Sequence, residues 1–147
     1  MSMTGLSVFD TTLQQTNVWL NDVAQEYGSD DKHLVFQGMR MTLQALRDRL
    51  IVDEAAHLGA QLPILLSGFY YENWRPSTNP SKERKKEEFL NSVRNRLQKV
   101  NPNIDIERMV RAVFRVLAMR VSTGEIEDIT SILPPELKEL WPESVRT

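Results

Sequence analysis

The fold of this chain is decided by residues 46–63, which read LRDRLIVDEAAHLGAQLP. Apolar residues recur here at three- and four-residue steps, which predicts the end of one helix and then a short helix from about Val52 to Gln61. Pro63 suits the start of a further helix, because its fixed φ fits the first helical turn. A junction of this kind turns the chain sharply. Crossed helices therefore fit the sequence better than a straight bundle does.

Helical spacing continues on both sides of this stretch. Gly28 predicts a helix C-terminus, and Ser29 to Asp31 offer an N-cap for the next helix. Ser122 and Glu125 have capping-box spacing, in which the serine accepts from the amide three residues on and the glutamate reaches back. The first half shows none of the sustained two-residue alternation that is typical of strands. We predict an all-α fold, an irregular crossed bundle of about 7–8 helices.

A shift of 71 residues aligns residues 46–63 with residues 117–134 without a gap. We predict a single domain over residues 1–147, built from a pseudo-repeat at 9–74 and another at 83–141, joined by a linker at 75–82. Units this small bury little apolar surface alone, so the two copies are expected to share one core. The residues of the repeat signature, to which we assign a structural role, are Arg49, Glu54, Leu62, Pro63, Trp74, Arg120, Glu125, Leu133, Pro134 and Trp141.

Composition limits the classes of function. The 147 residues are 41% hydrophobic and 26% charged, with a formal net charge of -2, which is typical of a soluble globular domain. The lack of cysteine excludes disulfides, thiol nucleophiles and iron–sulfur clusters. No signal-peptide pattern and no run of about 18 apolar residues is present, so we expect a cytoplasmic protein without membrane contact.

Charge is divided unevenly along the chain. Residues 1–74 carry 4 Lys and Arg against 9 Asp and Glu, a net charge of -5, whereas residues 75–147 carry 14 against 11, a net charge of +3. Basic stripes are typical of the solvent face of a helix and also of surfaces that contact phosphates. The residues of the candidate basic contact surface are Lys85, Lys86, Arg94, Arg108, Arg111 and Arg115.

Glu54 and His57 have a Glu-x-x-His spacing, which puts both side chains on one helical face. Their equivalents in the second copy are Glu125 and Asp128, and the four residues form a candidate metal site. The other interpretation is that both glutamates lie at helix N-termini, where negative charge favours the amide end. We prefer this cap-and-dipole role and predict no cofactor.

Arg49 and Arg120 each precede one of these glutamates by five residues. Each arginine is expected to bridge to the turn or the glutamate that follows it, locking the helix junction. Anion binding by the pair is the alternative, because arginine forks bind carboxylates and phosphates equally readily.

Three segments carry a family resemblance: residues 46–63, the stretch Tyr70-Tyr-Glu-Asn-Trp74, and the stretch Ser122-Thr-Gly-Glu-Ile-Glu-Asp128. Together they resemble the core motif of Domain of Unknown Function 2267, a bacterial family, over roughly residues 9–141. The resemblance implies an all-helical cytoplasmic domain with globin-like helix crossing, and it implies no reaction, cofactor or partner. Ile51 stands where the motif is expected to have proline.

The sequence lacks the common enzyme motifs, and His33 and His57 are its only histidines. Together with the charge division, this favours a non-catalytic module that acts through a protein partner or by self-association. One alternative is a small-ligand or metal-binding protein that uses the cleft between the two copies. The other is a binder of nucleic-acid backbones through the basic second half.

Overall fold

Eight α-helices and two short 3-10 turns make up the regular structure of residues 2–97 and 101–147, the parts of the chain that the computed structural model describes, and neither part contains a strand. The all-α class and the expected number of helices are therefore confirmed. The helices are α1 (Ser7–Tyr27), α2 (Lys32–Arg49), α3 (Val52–Ala60), α4 (Ile64–Tyr71), α5 (Lys86–Leu97), α6 (Ile106–Arg120), α7 (Thr123–Ile132) and α8 (Pro135–Lys138), and the 3-10 turns are Pro76–Thr78 and Glu143–Val145.

Helix ends fall where the sequence places capping residues. Gly28 ends α1 with φ of 90°, a left-handed conformation that glycine adopts without strain, and its N–H donates to the carbonyl of Ala24. The carboxylate of Asp31 caps α2 by accepting from the amides of His33 and Leu34. Both predicted boundaries are confirmed.

Helix α6 contacts α1, α2, α5 and α7, so its apolar face forms the middle of the core. Met109, Val113 and Phe114 on that face are buried. Helix α2 approaches α6 closely at Gly38, where an added Cβ would lie 2.5 Å from Cγ of Met109. A residue without a side chain is therefore what lets the two helices pack at this point. Within the described ranges, no helix is both long and apolar enough to cross a bilayer.

The segment at 75–82 is tied to the end of α2. The side-chain amide of Asn79 donates to the carbonyl oxygens of Arg47 and Leu50, at 2.6 and 2.9 Å. The backbone N–H of Ser81 donates to the carbonyl of Asp48 at 2.7 Å. These bonds give further donors to carbonyls at the C-terminal end of α2, where Leu50 is the C-cap residue, so the linker is held against that helix end.

Both halves run through the same order of elements, with two longer helices followed by two shorter ones. The Leu-Pro pairs at 62–63 and 133–134 are buried, and they directly precede α4 and α8. This order is what a repeat of 71 residues requires. The equivalence of the halves and the division into copies at 9–74 and 83–141 stay predictions.

Candidate functional site

Helices α3 and α7 pack against each other and are joined at one end by the side chain of Gln61. Its Oε1 accepts from the backbone N–H of Ser122 at 2.9 Å, and its Nε2 donates to Oγ of Ser122 at 3.1 Å. Gln61 is the C-cap residue of α3 and Ser122 is the N-cap residue of α7. Because the two caps bind each other, the first turn of α7 is held against α3.

This packing brings Glu54, His57 and Glu125 together, and we call these three residues the Glu–His–Glu cluster. Each side chain offers one ligand atom, and the three atoms lie within 4.8 Å of one another. His57 Nδ1 is 3.7 Å from Glu54 Oε1. Asp128, the fourth residue of the candidate metal site, is exposed and is not part of the group. Three of the four sequence candidates thus meet, and they come from both halves of the chain.

The two carboxylates of the cluster are poorly satisfied. Glu125 is only 7% exposed, and its Oε2 atom is buried without a hydrogen-bond partner, as is Oε2 of Glu54. Burial raises the pKa of Glu125 to about 8, with further contributions from the adjacent carboxyl group of Glu54 and the charge of Asp128. The two carboxyl groups of the cluster therefore hold a proton more tightly than free glutamates do. A cation that replaced this proton would gain two buried anionic oxygens as ligands.

The capping box at Ser122 forms only in part. Oγ of Ser122 accepts from the N–H of Glu125 at 3.3 Å, as predicted. The return bond is absent among the described residues, because the N–H of Ser122 donates to Gln61 instead. The carboxylate of Glu125 lies against Glu54 rather than against the amides of its own first turn. The cap-and-dipole role therefore describes Ser122 better than it describes Glu125.

The arginines of the repeat signature do not bridge to the glutamates that follow them, so this expectation is wrong. Arg49 binds Glu83 and Ser92, and its guanidinium lies 5.2 Å from the ring centre of Phe89. Arg120 donates to Asp22 at 2.7 Å. Each arginine binds a carboxylate that is distant in sequence. Residue spacing along one helix cannot predict such a partner. Their different partners give no support to anion binding by the pair.

The apolar members of the repeat signature lie in the core. Trp141 is buried and stacks on Phe114 with 4.3 Å between ring centres. Trp74 is half-buried, and its Nε1 donates to Oδ1 of Asn79 at 2.9 Å. Leu62, Pro63, Leu133 and Pro134 are buried. These positions fit the structural role that the sequence suggested for them.

Much of the candidate basic contact surface is engaged within the fold. Lys86 lies 3.5 Å from Glu107 and 3.3 Å from Glu139, and Arg111 pairs with the same two residues. Further contacts engage Arg115 with Glu26, Arg94 with Asn91, and Arg108 with the ring of Tyr27. Lys85 is exposed, and Lys99 lies outside the described residues.

A second surface feature escaped the sequence analysis. An open groove of about 410 Å³ runs between α1, the α3–α4 turn and the end of α6. Two exposed apolar residues adjoin its lining residues in the sequence: Ile64, at 73% exposure, follows Pro63, and Met119, at 58% exposure, precedes Arg120. Both lie off the apolar stripes of their helices, which is the signal that would have found them. We call this surface the α1–α4 groove, and its lining residues are Gln15, Val18, Trp19, Gln61, Leu62, Pro63 and Arg120.

Fold and site together define a small all-helical protein with a carboxylate–imidazole cluster between its third and seventh helices. The family model described as uncharacterized conserved protein (DUF2267) matches residues 16–140, most of the chain. The chain therefore belongs to this family, and the resemblance noted from its motifs is confirmed. No curated protein matches the chain.

Proposed function

We propose that this chain is a non-catalytic module that binds a protein partner, and that the α1–α4 groove receives this partner. The observation that carries the proposal is an open groove lined by Val18, an apolar residue that is 43% exposed, with exposed Ile64 and Met119 next in sequence to two other lining residues. An exposed apolar side chain in a concave surface favours contact with a partner, because water is released when it is covered. Fully burying one such side chain contributes about 1.5–3 kcal/mol.

The basic contact surface is a less suitable docking face. An acidic partner would have to compete with Glu107 and Glu139 for Lys86 and Arg111, which already pair with them. Exchanging one exposed ion pair for another yields little free energy, about 0–1 kcal/mol. The same contacts disfavour nucleic acid, whose affinity depends on free Lys and Arg side chains.

The groove favours a partner segment with an apolar side chain and polar flanks. Val18 supplies an exposed apolar surface next to the buried Trp19 and Leu62, whereas Gln15 supplies a side-chain amide that can bond to a backbone. A helix or loop that inserts one apolar anchor meets both requirements. A second copy of this chain is one such partner, since the exposed Leu6 and Val8 near the start of α1 are apolar.

Charge substitutions in the groove test this function. Ile64→Glu and Met119→Glu place a carboxylate where the partner would seat, and each should weaken binding by about 2 kcal/mol or more. Ile132→Glu is the matched control, because Ile132 is 41% exposed on α7 and, unlike Ile64 and Met119, adjoins no residue that lines the groove. Light scattering gives the mass of each variant, and retention from nuclease-treated lysate gives its partners.

The expected result is one species, a dimer or a specific complex, that both groove variants lose and the control keeps. A wild-type chain that is monomeric and retains nothing would refute the proposal. Retention that survives Ile64→Glu would exclude the groove. Binding that disappears with nuclease and falls steeply with salt would favour the nucleic-acid alternative.

A further inference from the structure

We propose that the Glu–His–Glu cluster binds a divalent transition-metal cation of the zinc type between α3 and α7. This inference is independent of the α1–α4 groove. Three donor atoms from Glu54, His57 and Glu125 lie within 4.8 Å of one another. Three is the number of protein ligands in many zinc sites that leave a fourth position for water.

Acidic side chains on a protein surface are hydrated by water, whereas the two glutamates of the Glu–His–Glu cluster are largely covered by the protein. Glu125 is only 7% exposed. Its Oε2 atom accepts no hydrogen bond from any N–H or hydroxyl group in the described part of the chain. Oε2 of Glu54 is likewise buried and unsatisfied. Buried carboxylate oxygens are normally bonded, because an unsatisfied one loses its hydration without compensation. A proton shared by the two carboxyl groups bonds these atoms in the absence of metal, and a cation in its place would contact both of them and the imidazole.

The donor set indicates the class of cation. One imidazole and two carboxylates suit zinc and neighbouring first-row metals, whereas Ca²⁺ and Mg²⁺ favour all-oxygen sites with six or more ligands. In the cluster, His57 provides the discriminating nitrogen. Its side chain is 63% exposed, so it is free to reorient toward an ion held by the two glutamates.

The distances allow coordination after small side-chain movements. Zinc ligands lie about 2.0–2.2 Å from the metal, so their atoms are separated by roughly 3–3.5 Å. The 4.8 Å limit of the cluster must therefore shrink by about 1–2 Å, and rotation of His57 and of the glutamate carboxylates supplies that movement without a backbone shift. The bound ion would connect α3 to α7 and thus link the two halves of the chain.

Titration of the full chain with ZnCl₂, after EDTA has been dialysed away, tests the site directly. Calorimetry should show one Zn²⁺ per chain, and CoCl₂ should give the visible absorption bands of a cobalt ion with few ligands. Glu125→Gln keeps the size of the side chain and the uncharged state of the protonated carboxyl, so it should fold while losing a ligand. His57→Ala alters an exposed side chain and should fold as well.

His33→Ala is the matched control, because His33 is the other histidine, exposed at the start of α2. Loss of a residue that hydrogen-bonds to a metal ligand weakens metal binding roughly 10–100-fold. Glu125→Gln and His57→Ala each remove a ligand itself, so each should weaken Zn²⁺ binding by more than that. His33→Ala should bind as the wild type does, and circular dichroism checks that all variants are helical. Absence of Zn²⁺ binding, or binding that survives both substitutions, would overturn the site. Equal affinity for Mg²⁺ or Ca²⁺ would overturn the zinc class.

Discussion

Adding one methyl group at Gly38 should destabilise the protein, although the same change at Gly68 should stabilise it. Both glycines lie within helices, α2 and α4. Exchanging glycine for alanine in a helix gains about 0.8–1 kcal/mol of propensity. At Gly38 the new Cβ would lie 2.5 Å from Cγ and 2.7 Å from Sδ of Met109, which is fully buried. At Gly68 no atom lies within 4 Å.

The two propensity gains cancel when the variants are compared. What remains is the overpacking of Met109 between α2 and α6, which costs about 1–3 kcal/mol in a closely packed core. Gly38→Ala should therefore unfold with a free energy about 1–3 kcal/mol below that of Gly68→Ala. Urea denaturation followed by circular dichroism measures both values.

The clash also predicts a dependence on the methionine. In a Met109→Ala background the space beside residue 38 is open, so Gly38→Ala should lose its cost there and approach the gain seen at Gly68. A double-mutant cycle measures this coupling. If Gly38→Ala were as stable as Gly68→Ala in the wild-type background, the close approach of α2 and α6 would not limit the core, and the reasoning would fail.

Three further predictions concern single residues. Ile51→Pro should stabilise the protein by about 0.4–1 kcal/mol, with Ile51→Ala as control. Ile51 already has φ of −63°, the preceding residue is extended, and no acceptor for the Ile51 N–H is found among the described residues. Thermal unfolding measures the effect, and a lower melting temperature for Ile51→Pro would show that the position is strained. Arg47→Met should destabilise by about 2–5 kcal/mol, because it leaves the carbonyls of Tyr70 and Glu72 without their buried donor; a calorimetric loss below that range would mean that water replaces the arginine. In EDTA, Glu125 should make stability depend on pH, because its pKa is raised in the folded state to about 8 from the ordinary value of 4.5. The folded state therefore keeps a proton that the unfolded state releases above pH 4.5. The stabilisation from this proton is fully present below pH 4.5 and is lost as pH rises through about 8. Glu125→Gln should remove that slope, and parallel stability curves for the variant and the wild type would contradict it.

Local signals predicted most of the fold. Gly28 and Asp31 ended and began helices as expected, since a left-handed glycine and a capping carboxylate act within one turn. The Leu-Pro pairs placed the starts of α4 and α8 for the same reason. Such features depend on neighbours three or four residues away, which a single sequence displays directly.

Partners distant in sequence could not be predicted in this way. Arg49 was expected to reach forward along its own helix junction, yet it binds Glu83 on the far side of the linker. Its side chain is long enough to reach several elements, and tertiary packing decides which carboxylate is near. The α1–α4 groove was missed for a related reason, because three separate segments line it.

The Glu–His–Glu cluster could be predicted from the sequence only in part. Residue type and the 71-residue shift identified Glu54 and Glu125 as equivalent, and the spacing put His57 on the face of Glu54. What the sequence did not predict was that α3 and α7 pack against each other, so that equivalent glutamates meet. The cap interpretation follows from the capping box at Ser122 and from the position of both glutamates at helix N-termini, which are features of a single helix, whereas a shared site needs a contact between helices.

The contact between α3 and α7 brings the carboxyl groups of Glu54 and Glu125 together. If both were ionised, the carboxylates of Glu54 and Glu125 would repel each other. Burial of Glu125 strengthens this repulsion, because buried surroundings screen charges poorly. A purely structural role would be met better by uncharged glutamine, which would bond without this penalty. Asp128 stands 71 residues after His57, so the imidazole enters the cluster from one half of the chain only. When the shared proton leaves, the two carboxylates beside one nitrogen donor destabilise the fold, and a cation that neutralises them would restore that stability.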